Sequence, residues 1–201
     1  MPRRALLAGA ACLGGCSVLP ERPYQARRAW PLEPARPQIL AAPPGAPTLL
    51  LRTLRSGPGL ETRGLRSRAA DGAEKIDFWE EWAVPPPQAV QASLRQWLAA
   101  SGLFAAVVQP GTDATADLVL EGDLLGLAAD LATNSAVATL SLVLLRAEGG
   151  GRSTPLLQRS LTGTAPLRGT DGPALAAAMS EALAAVLAQA EAVVAPFARR
   201  G

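Results

Sequence analysis

An α+β fold, a two-layer sandwich in which a mostly antiparallel sheet carries two helices packed on one face, is what the amino-acid sequence predicts. Three observations lead to it. From residue 48 to residue 167, short apolar segments alternate side chains at period two and are separated by Gly, Pro and Asp turn residues. Two longer stretches, one after Pro85 and one after Asp171, repeat apolar residues three and four apart, as amphipathic helices do. The strands come in runs and the helices are few, which is the order of an α+β domain.

Taken in order, the chain opens with Arg3 and Arg4, an apolar run from Ala5 to Leu13, and then Leu13-Gly14-Gly15-Cys16. Charge followed by an apolar run is an export signal. Nine apolar residues cannot cross ~30 Å of hydrocarbon as a helix, so the run is no stable transmembrane segment. The cysteine completes a lipobox, so residues 1–15 read as a lipoprotein signal peptide and Cys16 as the site of acylation. Two or three acyl chains hold where one does not, since each buried CH₂ contributes about 0.8 kcal/mol. An ordinary secretory signal with an incidental cysteine is the alternative; Cys12, behind Gly9-Ala10-Ala11, lacks the large apolar residue at the right offset.

Residues 16–47 read as a lipid-anchored, Pro-rich tether, with eight prolines (20, 23, 31, 34, 37, 43, 44 and 47). In the polyproline II conformation, at about 3.1 Å per residue, this length reaches on the order of 90 Å. Tyr24 and Trp30 are unusual in such a segment: they dock on the domain or the headgroup region, or they belong to a partner-binding motif.

The folded domain is expected over residues 48–198. Thr48–Leu54 reads as a strand entering the core, ended by Ser56-Gly57-Pro58-Gly59. Leu60–Arg68 reads as a second, with Arg66 and Arg68 on one face, blunting a sheet edge. Asp71-Gly72 supplies a turn before the strand Lys75–Val84, where Ile76, Phe78, Trp82 and Val84 point one way and Asp77, Trp79 and Glu81 the other. Glu80 falls on the apolar side, so either a bulge turns it outward or it is a functional buried carboxylate.

Pro85-Pro86-Pro87 stops that strand and starts a helix, because a first turn has no use for the missing N–H. Val90, Leu94, Trp97 and Leu98 mark its core face and Gly102 its end. Leu103–Val108 is a short strand which, following a strand and a helix, is expected to pair in parallel with an earlier strand. A meander follows. In Leu118–Leu131 the even positions Leu118, Leu120, Leu124 and Ala128 face the core. In Ala136–Arg146 Ala138, Leu140, Leu142 and Leu144 do so, and Thr154–Leu167 returns after Gly149-Gly150-Gly151. Asp171 caps the last helix with Pro173 in its first turn. Its apolar stripe, interrupted by Glu181, Gln189 and Glu191, calls for packing on the sheet and not for membrane insertion.

Composition excludes several classes of chemistry. Histidine is absent, which removes Ser-His-Asp and Cys-His catalysis and the commonest zinc sites. With Cys16 acylated and Cys12 removed, no thiol is left for a disulfide, a redox cycle or a metal. Loss of Arg3 and Arg4 takes the 19 basic residues to 17, equal to the 17 acidic ones, and a neutral chain is a poor ligand for nucleic acid. Carboxylate pairs such as Glu80/Glu81 and Asp113/Asp117 have no accompanying base or nucleophile, so no enzyme, no metal and no cofactor beyond the covalent lipid are expected.

At Leu60-Glu61-Thr62-Arg63 and at Phe78 with Trp82-Ala83-Val84-Pro85 the chain resembles the ABC-type transport auxiliary lipoprotein family, which includes the lipoprotein of the paraquat-inducible (Pqi) system. Leu60, Glu61 and Arg63 match its first motif, Arg68 stands for a later arginine, and Phe78, Trp82, Ala83 and Pro85 match the second. Val84 stands where the family pattern has glutamate and Pro86 where leucine is usual. The resemblance implies an accessory, docking lipoprotein of the outer membrane that faces the periplasm. It would be partnered with an MCE-domain (mammalian cell entry) protein and an ABC permease and ATPase in moving phospholipid or other apolar molecules. A lipid or apolar-ligand carrier with an enclosed pocket is the alternative.

Two surfaces stand out for partners. One is the basic face of Arg63, Arg66 and Arg68. The other is the outer side of the strand Ala136–Arg146, where Val137, Val143 and Leu145 beside Thr139 and Ser141 are more apolar than a monomer leaves wet. A ring of copies or the MCE-domain protein is expected to cover it.

Overall fold

The alternating segments after residue 117 form a long antiparallel meander in the computed structural model, which describes residues 25–148 and 151–199. The lipobox with Cys16, Tyr24, and Gly149 and Gly150 lie outside the described residues. Strands β7 (Leu118–Asp130), β8 (Ser135–Glu148) and β9 (Arg152–Pro166) pair in sequence order. Asp130 Oδ1 accepts the N–H groups of Ala132 (3.0 Å) and Thr133 (3.2 Å), which shapes the β7–β8 turn. Along β8 the expected inward set is buried, with Ala136 beside Ala138, Leu140, Leu142 and Leu144.

In β7 the phase changes halfway. Register shifts between Leu124 and Gly126, so that Leu125 is an exposed extra residue and Leu127 and Ala129 take the inward positions. Ala128, expected in the core, therefore faces outward opposite Val137. One inserted residue inverts every side chain beyond it.

The opposite edge of β7 is shared by three short strands, all parallel to it: β2 (Thr48–Leu51), β3 (Arg55–Ser56) and β4 (Gly64–Arg68). Beyond them, β5 (Glu74–Trp82) is antiparallel to β4, and β6 (Ala106–Val108) is parallel to β2. The expected pairing of β6 with an earlier strand is thus present. The sheet is nonetheless mixed where a mostly antiparallel one was expected, because the chain runs once along the β7 edge in the direction of β7, from Leu49 opposite Leu118 to Arg68 opposite Asp130, interrupted by loops.

Two helices complete the described fold. Helix α1 (Pro86–Ala99) starts from Pro85 and buries Val90, Leu94, Trp97 and Leu98. Helix α2 (Gly172–Ala198) is capped by Asp171, whose side chain accepts the Ala174 N–H at 3.1 Å. By length and composition α2 could cross a membrane. Its Met179, Leu183, Val186, Leu187 and Val194 are instead buried on β7, β8 and β9, in one core cluster with the inner faces of β2 and α1.

The segment expected as a free tether is extended, as its prolines dictate, but from Arg28 onward it lies on the domain. Strand β1 (Arg28–Trp30) pairs in parallel with Glu80–Trp82 of β5. Leu32 is buried, the Leu40 N–H donates to the Ala100 carbonyl at 2.9 Å, and Leu40 bridges to Ser101. Side chains hold what periodicity did not reveal: Trp30 Nε1 donates to Glu80 Oε2 at 2.7 Å, and Arg36 pairs with Glu191.

Candidate functional site

Two neighbouring features arise where this N-terminal strap meets β5 and α1. The first is an irregularity in β5. Gly64 stands opposite Glu81 while Arg66 stands opposite Ile76, so β5 accommodates extra residues, Asp77 to Glu80, against β4. Asp77 Oδ1 accepts the N–H groups of Trp79 (2.8 Å) and Glu80 (3.0 Å), closing the loop on itself. Burial pushes the Asp77 carboxyl up, but the Lys75 ammonium at 2.9 Å and those two N–H groups outweigh it and hold it below the usual range. Gly64 permits the close approach: a Cβ there would strike the Asp77 carbonyl and lie 2.6 Å from Ile76 Cγ2.

The bulge that Glu80 signalled in the sequence is therefore present, but it does not send Glu80 to solvent. It aims the carboxylate at Arg28 and Trp30. Phe78 and Trp79 are what it turns outward, 60% and 37% exposed, with ring centroids 4.9 Å apart in an edge-to-face arrangement. Ile76 and Phe78, expected to face the core with Trp82, are thus surface residues. Trp79 lies, as expected, on the face away from the core, while the exposure of Phe78 escaped sequence reading because a period-two pattern carries through a bulge unbroken; the phase error at Glu80 was the available signal.

The second feature is a groove of about 500 Å³ between the strap and α1, lined by Leu32, Ile39, Val84, Ala92, Gln96 and Trp97 among others. Ile39 is 87% exposed on its rim. Arg36 lies over the Trp97 ring, 5.1 Å from its centroid, and Glu191 accepts both the Arg36 guanidinium (Nη2–Oε1 3.1 Å) and Trp97 Nε1 (2.8 Å). The hydrogen bond from Arg36 is the main cause holding the Glu191 carboxyl below its ordinary value; burial pushes the other way and the Trp97 N–H helps to lower it.

This makes strap docking acid-sensitive. A carboxyl depressed on folding contributes its full stabilisation above pH ~4.5, and that contribution is lost as pH falls through the depressed value. Glu191→Gln should mimic the loss at neutral pH by about 1–1.5 kcal/mol. Hydrogen exchange at the Leu40 amide is then expected to be roughly five- to ten-fold faster than in the parent protein. Unchanged exchange would show that the strap does not depend on this pair.

The arginines singled out in the sequence lie along the β4–β5 hairpin and are paired with its acids. Arg63 binds Glu81 and reaches the Ala83 carbonyl at 3.4 Å, while Arg66 and Arg68 approach Glu74 at 4.0 and 3.7 Å. Arg66 Nε is buried without a hydrogen-bond partner among the described residues. Val137 and Val143 lie half-buried on the β8 face turned away from the core. Leu145 shares that face but is only 9% exposed and stands outside the main core, opposite Val119 and Pro155. Ala128, opposite Val137, lines one pocket with Arg66 and Arg68, so the arginine hairpin adjoins the valine face across β7. Glu81 and Glu80 are occupied by Arg63 and Arg28, and Asp117 accepts the Thr48 N–H at 2.8 Å. Among the described residues no group of three or more His, Cys, Asp or Glu side chains is arranged to hold a metal ion.

Solved structures share this fold. A Xanthomonas campestris protein superposes with a TM-score of 0.67 at 22% identity, covering 81% of this chain and 94% of its own. An uncharacterized protein gives 0.59 at 15% identity over 80% of this chain and 95% of its own. A hypothetical protein of Chlamydia trachomatis gives 0.52 at 10% identity, over 77% and 99%. At these identities the likeness is one of fold. No curated protein matches the chain. The family model for the ABC-type transport auxiliary lipoprotein component matches residues 31–191, beginning within the docked strap and running through most of α2, and the chain belongs to that family.

Proposed function

We propose that the protein is a docking subunit of an MCE-type ABC transport system that moves phospholipid or other apolar molecules. In this reading it is held at the outer membrane by acylated Cys16, faces the periplasm, and works by binding and not by catalysis. Family membership supports the association with an ABC transport system. The observation that carries the docking role is the outer face of the β7–β9 meander. It presents Val137, Thr139, Ser141 and Val143 beside Thr162 and Gln158, with no helix over it among the described residues. Its charges are neutralised internally, Arg55 by Asp123 at 2.7 Å and Arg52 by Glu121. A broad, half-apolar sheet face whose charges are paired fits a protein partner or a second copy.

Replacing Val137 and Val143 together with Lys is expected to abolish co-purification of the MCE-domain and permease subunits, and any ring of copies, while thermal stability changes little. Affinity purification with mass spectrometry, beside light scattering of the purified protein, checks it. A variant that folds and keeps every association would move the interface to the Arg63, Arg66 and Arg68 hairpin. The groove between strap and α1 favours a second reading, an apolar-ligand carrier. Phospholipid retained at one molecule per chain through purification, and lost in Ile39→Asp, would support the carrier.

A further inference from the structure

The point at which the tether leaves the domain determines what the exposed aromatics face. Because β1 fixes the chain from Arg28, the twelve residues from Cys16 to Arg27 can span at most about 40 Å fully extended. That is under half the reach of an undocked tether. The exit itself is marked by Arg27, whose guanidinium lies 3.9 Å from the centroid of the Phe78 ring. The lipid anchor is thus tied by a short leash to the β5 bulge.

What surrounds that exit is aromatic and rich in arginine. Phe78, Trp79 and Ile76 are exposed together, and the Asp77 hydrogen bonds to Trp79 and Glu80 hold the two rings out on a closed loop. Six basic side chains, five of them arginines (Arg27, Arg28, Arg63, Arg66, Arg68 and Lys75), stand among six acidic ones (Glu61, Asp71, Glu74, Asp77, Glu80 and Glu81), so the surface is dense in arginine and balanced in charge. Tryptophan rings prefer the headgroup boundary, phenylalanine inserts beside them as an apolar interfacial residue, and arginine and lysine are drawn to anionic headgroups.

We propose that this bulge is a membrane-contact surface, with Phe78 and Trp79 resting in the headgroup layer of the leaflet that holds the anchor and the flanking arginines on anionic phospholipid. The proposal rests on anchoring through Cys16. It gives the domain a fixed side towards the lipid, where a free 90 Å tether would give none.

The test uses the acylated full chain in vesicles of phosphatidylethanolamine and phosphatidylglycerol whose acyl chains are brominated, with tryptophan emission as the readout. Bromine is expected to quench up to about a quarter of the emission, one tryptophan of four, and Trp79→Phe should remove that quenching. The double variant Phe78→Ser/Arg27→Glu should keep flotation and its thermal melt but lose the quenching, since these side chains are exposed. Wild-type protein that floats without quenching overturns the contact surface and leaves the anchor standing. A Cys16→Ser protein that floats equally and still takes a fatty-acid label overturns the anchor and the proposal with it. Quenching unchanged in the double variant, with co-purifying transport subunits lost, would make the bulge a protein interface and also overturn it.

Discussion

Trp82→Ala is expected to destabilise the protein by about 3–5 kcal/mol, the range for deleting a large buried aromatic side chain. Trp82 is 1% exposed at the end of β5, where the chain has passed the bulge and the inward phase resumes. Its backbone N–H donates to the Arg63 carbonyl at 2.7 Å and it stands opposite Trp30 in the β1–β5 register, while its side chain lies in the core cluster. Urea unfolding at neutral pH measures the loss, and the dependence on urea should be unchanged. A cost below about 1 kcal/mol, with partner binding lost, would place the ring on a surface instead.

Gly163→Ala is expected to cost about 3 kcal/mol, although it adds one methyl group. Strand β9 and helix α2 meet backbone to backbone at this residue. A Cβ on Gly163 would strike the Ala182 carbonyl and lie 2.8 Å from the Val186 nitrogen and from its Cγ2. Main chain cannot swing aside as a side chain does, so the helix must lift from the sheet over Ala182 and Val186, both fully buried. For a chain of this size the loss corresponds to a melting temperature lower by roughly 6–12 °C. Gly126→Ala is the control: on the same sheet, its Cβ would meet only Thr139 at 3.7 Å, and the melt should barely move. Equal melts for the two variants would show that α2 does not rest on Gly163 as described.

Both residues illustrate what could be read in advance. Trp82 was legible as a core residue, although the same period-two phase misplaced Ile76 and Phe78, because the bulge falls between them and Trp82. Nothing in the sequence distinguished Gly163 from the other glycines, since its role is set by a helix that begins nine residues later. The same holds for the candidate sites. Phe78 was legible as part of a motif but not as an exposed ring. Trp30 was noticed as odd, yet its partner, Glu80, lies fifty residues away. Leu145 was assigned to the correct face but not to its burial against Val119, which depends on cross-strand register.

By itself the sequence determined the two helices with their proline and aspartate starts, the alternating meander and the absence of histidine. It also carried the motifs by which the family was recognised. Each depends on neighbours within a turn or a strand, where period and capping act directly on the local backbone. Tertiary structure alone decided that three short strands share the β7 edge in parallel, that bulges at Leu125 and at Asp77–Glu80 invert the phase, and that the strap is docked by Glu80 and Glu191. These contacts join residues far apart in sequence. Whether they form depends on the entropy of closing the chain between them against the burial and pairing gained, which no local pattern records.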